Sequence, residues 1–311
     1  MKSFFFFFML LITALGSLKA QTPADNIMMD KGRFCGALIY SNDHWDHYWE
    51  GTLKRTNGNL GTVTRQSVTP MFALGLTRKI NLLASLPYIW THPSAGYFKG
   101  DKGIQDLGIG IKALLVNKHM GPGRLDLLVY GGFSTPLTNY NKDYLPFGLG
   151  LGAKEGVLRG IFQYQLDNGI YLSGASSYHL RSDIKIERDY YYTDHPVYSN
   201  VVDMPDAIMY SLRLGVWVKK DLLNVNVSYD GMNTQGGFDI RRQDAPFPSN
   251  RMNNTMVNGF AHFYPRFAPG LSIFASYGQV LSGRNVGQST AYTVGLAYQF
   301  GVWGGNTEMA Q

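Results

Sequence analysis

The sequence predicts an all-β fold, a transmembrane antiparallel up-and-down β-barrel of about twelve strands. Three observations carry this prediction. The chain opens on an export signal, its later segments alternate apolar and polar residues with a period of two, and short turns alternate with long polar loops. No apolar run after the signal reaches the roughly 18 residues of a membrane-spanning helix, so any crossing must be made by strands.

The N-terminus reads first. Lys2 precedes an apolar run from Phe4 to Leu15, and Gly16-Ser17-Leu18-Lys19-Ala20 supplies a small-residue exit. This is the layout of a secretory signal spanning 1–20, cleaved between Ala20 and Gln21. Residues 21–30 then form an N-terminal periplasmic segment, 31–303 the barrel, and 304–311 a C-terminal tail. Cys35 is the single cysteine, so no internal disulfide can staple the fold. The formal net charge of +6 is spread along the chain, which argues against a nucleic-acid partner. The surroundings expected instead are outer-membrane lipid, after passage through the outer-membrane assembly machinery, with Phe300 or Trp303 as the strand-end aromatic that machinery would read.

Each strand is argued from its alternation. In Ala291–Val302, Tyr292, Val294, Leu296, Tyr298 and Phe300 form one face, with aromatics at both ends and aliphatics between them. A bilayer explains that order, because aliphatic side chains meet hydrocarbon while Tyr and Phe settle at the interfaces. Leu223, Val225, Val227 and Tyr229 alternate with Asn224, Asn226, Ser228 and Asp230. The same rhythm runs through 68–76, 105–116, 209–219 and 271–281. A soluble β-sandwich also alternates, but its strands are shorter. Short turns fall at 77–81, 117–123, 167–169, 219–221 and 265–270, and long polar segments near 42–59, 94–103, 136–152, 183–206, 233–252 and 283–289. Short turns at one end and long loops at the other suit an outer-membrane barrel, and an even strand number leaves both termini in the periplasm.

Residues 42–50, NDHWDHYWE, concentrate metal-competent and aromatic side chains. A strand would put His44, Asp46 and Glu50 on one face and Trp45, His47 and Trp49 on the other. The expected arrangement has His44, Asp46 and Glu50 looking into the barrel mouth. Trp45 and Trp49 join Tyr292, Tyr298 and Phe300 in the aromatic girdle. Such a strand splits the H-x-x-H pair and leaves too few ligands for zinc, which needs three or four, so no metal and no cofactor is expected. Asp106 and Lys112 share the polar face of 105–116 and are lumen candidates. Arg241, Arg242 and Arg284 lie in long loops with Asp239 and Asp244. They would form a polar constriction if folded inward, or a solvated surface with internal ion pairs if not. Ser177 and His179 share a face, yet no nearby residue in sequence orients the imidazole, so no catalytic group is assigned. Gly148–Gly152, GLGLG, lacks the strand-to-helix context of a dinucleotide site.

Residues 86–116 carry a family resemblance. Leu86-Pro87-Tyr88 ends one strand, a glycine-rich polar loop follows, and Gly103, Asp106, Leu107, Gly110 and Lys112 open the next. This G-x-x-D-L-x-x-G-x-K pattern resembles the outer-membrane family named for the MetA pathway of phenol degradation, with Gln105 where that family usually carries glycine. The chain is also similar to exported barrels of Bacteroidota, in which cleavage before glutamine is familiar. The resemblance implies an outer-membrane channel for passive passage of small, aromatic or hydrophobic molecules. Two alternatives stay open: a plugged structural or surface-interaction barrel, with the loop around Asn139-Tyr140-Asn141 as one plug, and an outer-membrane hydrolase.

Overall fold

The computed structural model describes residues 21–144, 146–219, 221–240 and 246–303 of the 311-residue chain. Twelve strands close into an antiparallel barrel: β1 (Arg33–Trp45), β2 (Val63–Gly75), β3 (Ile80–Ser85, resuming at Tyr88–Pro93), β4 (Lys102–Ile104, resuming at Asp106–Met120), β5 (Gly123–Pro136), β6 (Glu155–Leu166), β7 (Ile170–Arg181), β8 (Ala207–Val218), β9 (Leu223–Thr234), β10 (Asn253–Phe263), β11 (Leu271–Arg284) and β12 (Thr290–Gly301). Each strand pairs with its sequence neighbour. β1 closes the sheet by pairing with β12 on one side and β2 on the other, from Phe34 opposite Phe300 to His44 opposite Thr290. The break in β3 falls at Leu86-Pro87, where proline has no N–H to donate. The ladder survives it, because Leu86 N donates to Pro70 O at 3.1 Å and Pro87 O accepts from Gln105 N at 2.9 Å. The five tight connections all lie at one end, at 76–79, 121–122, 167–169, 219–222 and 264–270, and the long loops all lie at the other.

The outward face is apolar where a membrane would meet it. Leu38, Leu158, Leu214, Val227 and Leu296 stand out from the wall, each more than half exposed. Rings flank this band. Near the loop end, Gln66 donates to the Tyr40 hydroxyl at 2.6 Å and accepts from Trp90 Nε1 at 2.7 Å, tying a polar group to two interfacial aromatics. Near the turn end, Phe34 packs 5.3 Å from Phe300, which lies 6.1 Å from Tyr298. The inward face is polar and close-packed. Tyr130 lies across the lumen wall where Gly110 and Gly132 leave room, since a Cβ at either glycine would collide with its ring. Arg159 covers the other side of that ring at 5.7 Å.

One strand face differs from the sequence expectation. On β1 the even residues face outward with Leu38, and the odd residues Cys35, Ala37 and Ile39 face inward. His44 therefore stands on the outer wall, and Trp45 does not. The odd face is apolar because residues of the N-terminal segment cover it: Met29 packs with Cys35, Ala73, Leu83 and Ala297, flanked by Ala37 and Phe274.

Val227→Arg places a charge on the lipid face of β9. It should cost roughly 2–4 kcal/mol near the bilayer midplane, read as a shift in denaturant-unfolding midpoint in lipid vesicles. A shift below the error of the measurement would contradict the orientation of β9.

Candidate functional site

The lumen contains residues 21–29, which the sequence placed in the periplasm. Their local shape is set by a side-chain turn. The Thr22 backbone N–H and hydroxyl both donate to the Asp25 carboxylate, at 2.5 and 2.7 Å, and Ile27 N donates to its other oxygen at 2.9 Å. The turn is anchored by Lys112, whose side chain is 0% exposed. Its ammonium donates to Thr22 O at 2.7 Å, Asp25 O at 3.1 Å and Asp25 Oδ1 at 2.8 Å. An ammonium has three donors, and all three are used here. A buried charge is tolerated only when it is so matched. Arg159 Nη1 adds a bond to Pro23 O at 3.2 Å, Asn26 Nδ2 one to Asp126 Oδ2 at 3.2 Å, and the Asn81 and Gln21 side chains meet at 2.7 Å.

The mouth is narrowed from the opposite side by the loop spanning 137–154, which folds inward. Tyr140 donates to Asp106 Oδ1 at 2.6 Å and accepts from Gly152 N at 3.0 Å. Burial, and then its bond to Asp106, push the Tyr140 phenol well above its ordinary pKa, so it stays a donor. Arg65 donates to Gly148 O at 3.2 Å and Leu149 O at 2.8 Å, and Thr91 Oγ1 donates to Phe147 O at 2.9 Å. The glycine-rich run thus presents backbone carbonyls to the wall. Above it, Ala153 packs with Ile184, Ile186, Tyr191, Val202 and Met204 of the next long loop. Asp143 joins these loops, accepting from Arg188 Nε at 2.9 Å and Phe247 N at 3.2 Å.

The sequence candidates separate into different places. Asp106 and Lys112 face the lumen, and each holds an inserted segment. His44 is on the outer wall, its ring 6.5 Å from that of Tyr292 and edge-on to it. Asp46 lies in the turn above β1 and accepts from His47 Nδ1 at 2.8 Å, a bond that lowers its carboxyl pKa. Glu50 pairs with Arg55 at 2.7 Å across a hairpin formed by His47–Glu50 and Leu53–Thr56. Arg284 makes two bonds to Asp239, at 2.7 and 2.6 Å, so it staples two loops together. Trp49 is 8% exposed and packs against Gly283, while Trp45 packs against Gly287. Neither tryptophan belongs to the outer girdle: Trp49, whose backbone N–H donates to Val286 O, fastens the outer hairpin to the end of β11 and the 285–289 loop, and Trp45 packs the end of β1 against that loop. Tyr292, Tyr298 and Phe300 do face outward on β12. Arg241 and Arg242 lie outside the described residues, as do 1–20 and 304–311.

Two features escaped sequence reasoning. The first is a cavity of about 370 Å³ between residues 21–27 and the wall, lined from β6 to β11 and by Ala37, Ile39 and Met71 of β1 and β2. The second is a hydrogen-bonded chain: Ser177 Oγ lies 3.0 Å from His179 Nε2, and His179 Nδ1 lies 2.9 Å from Glu155 Oε1. Glu155, on the neighbouring strand β6, is the orienting group that local sequence does not contain. Arg181 Nε holds its other oxygen at 2.8 Å. This arrangement resembles a hydrolase triad, yet Ser177 and His179 are only 4% and 5% exposed. The backbone around Ser177 is paired with both β6 and β8. Acyl transfer needs free donors aimed at a developing oxyanion, and a strand paired on both sides offers no free backbone N–H beside Ser177.

Two outcomes test this. Lys112→Ala leaves Asp25 buried without its cation; residues 21–29 should become cleavable by a protease that spares them in the parent. Ser177 should remain unmodified by a fluorophosphonate in the folded protein, and labelling that His179→Ala abolishes would show a competent nucleophile instead.

No protein-family model and no curated protein sequence matches the chain. Among solved structures, the COG4313 outer membrane channel from Pseudomonas putida F1 superposes with a TM-score of 0.69 and 16% identity, covering 90% of this chain and 100% of that one. The translocator domain of the autotransporter NalP from Neisseria meningitidis gives a TM-score of 0.43 and 12% identity, covering 86% and 87%. This chain shares the closed, twelve-stranded barrel fold of the Pseudomonas channel.

Proposed function

We propose that this protein is an outer-membrane channel for passive passage of small solutes, exported by removal of residues 1–20 and closed at rest by residues 21–29. One observation carries the reading: a polar, cavity-bearing lumen inside a barrel whose outer wall is apolar. A barrel serving only as an anchor gains nothing from a column of buried amides at Asn224 and Asn226, whose desolvation must be compensated by hydrogen bonds. The Pseudomonas protein of like fold is itself described as an outer membrane channel. The family resemblance of residues 86–116 supports the channel reading, and the aromatic or hydrophobic cargo it implies is one candidate solute class. The mixed lining favours a cargo with both polar and apolar surface.

The rival reading is a non-conducting structural or interaction barrel. It draws on the same inserted segments, since residues 21–29 and the 137–154 loop both occupy lumen space. The difference lies in whether the N-terminal plug leaves. Beyond the apolar packing of Met29, its hold on the wall is polar, through Lys112, Arg159 and Asp126, and water can replace such bonds when the segment withdraws.

In planar bilayers, the mature chain lacking residues 21–29 should conduct continuously, and the intact chain should conduct less or flicker. A deletion protein that inserts, keeps its heat-modifiable gel mobility and passes no current would favour the structural barrel.

A further inference from the structure

The cavity beside the plug is lined on β9 to β11 by two unlike columns that run side by side. Along β9, Asn224, Asn226, Ser228 and Asp230 form a polar column that climbs the lumen, with Asn258 of β10 beside its upper end. Its members already bond one another: Asn226 Nδ2 donates to Asn224 Oδ1 at 3.0 Å, and Ser228 Oγ donates to Asp230 Oδ2 at 2.7 Å. Beside it, on β10, the turn that follows and β11, Phe260, His262, Tyr264 and Phe274 form an aromatic column, with His262 paired to Asn224 and Phe260 to Asn226. His262 and Tyr264 stack with ring centroids 4.2 Å apart, and Phe274 meets His262 edge-on at 5.2 Å. His262 is 5% exposed, and its Nε2 has no hydrogen-bond partner among the described residues. Arg213 and Asp230 give the lining one charge of each sign, while Asp25 is already matched by Lys112.

From these two adjoining columns we infer that the cavity is a binding site for a neutral carbohydrate of one or two rings. The inference rests on the channel reading and names its solute class. A sugar ring has flat C–H faces that pack on aromatic side chains and an equator of hydroxyls, each able both to donate and to accept. Amides and carboxylates in a column are the complement of that equator. An aromatic molecule with one polar substituent would pack on the aromatic column but make only a bond or two to the polar one, so it would use less of this lining than a ring of hydroxyls. A strongly charged solute gains no net attraction from a lining whose arginine and aspartate cancel. A cavity of about 370 Å³ falls at the lower end of the roughly 300–1,000 Å³ typical of small-molecule sites.

The test is calorimetric titration of the intact mature protein in detergent with D-glucose, maltose and, as the aromatic comparison, benzyl alcohol. Saturable binding of glucose or maltose is expected, weakened about tenfold in Asn226→Leu and in Phe260→Ala, with both variants retaining heat-modifiable gel mobility. Binding of benzyl alcohol in place of the sugars, sugar binding that both substitutions leave unchanged, or no binding at all would each overturn the inference. Failure of the channel reading is read separately, from absence of current in the protein lacking residues 21–29.

Discussion

A sheet in hydrocarbon has no water to satisfy its edges, and the architecture follows from that constraint. Every backbone N–H and C=O within the membrane must find a partner in the protein, so the sheet has to close. β1 meets this demand by pairing along nearly its whole length with both β12 and β2. Even the interruption at Leu86-Pro87 is bridged by bonds to Pro70 and Gln105. Closure at twelve strands fixes a lumen of modest width, between the side-chain-filled interior of the smallest barrels and the open aqueous channel of larger porins. Side chains alone do not fill that space here. Residues 21–29 enter from the turn end, and the 137–154 loop enters from the other.

The wall is shaped for these guests. Lys112 would be an untenable charge in a dry lumen without Asp25 and the two carbonyls it grips. Asp106 receives Tyr140, and Arg65 receives the carbonyls of the glycine-rich run. The apolar inner patch of β1 exists to receive Met29. The cavity that remains is lined by the column on β9 and, beside it, the aromatic side chains of β10 and β11, so that part of the lumen is amphipathic.

Strands with one clean polar face were fully legible in the sequence. β9 alternates Asn, Asn, Ser and Asp with Leu, Val, Val and Tyr, and β12 carries its girdle residues on a single face, so both orientations follow from periodicity. β1 was not legible, because Gly36, Leu38 and Tyr40 are no more apolar than Cys35, Ala37 and Ile39. Assuming a polar lumen inverted it, and His44, Trp45 and Trp49 were misplaced with it. Arg284 was recognised as a loop charge, but its partner Asp239 lies 45 residues away. Glu155 was invisible as the partner of His179 for a similar reason, since strand register brings the two together and neither residue signals the other.

The sequence by itself determined the fold class, the strand number and the end at which the long loops lie. Those features rest on local chemistry, the two-residue period of a strand and the turn residues that end it, which is present in every short window of the chain. Tertiary structure alone decided what fills the barrel. Residues 21–29 are too few to show a period, and the apolar Ile27-Met28-Met29 that ends them names no partner, so nothing local distinguishes a solvated tail from a plug. Their position is set by partners at Lys112, Asp126 and Arg159, each roughly a hundred residues away along the chain, which closure of the sheet brings to one point.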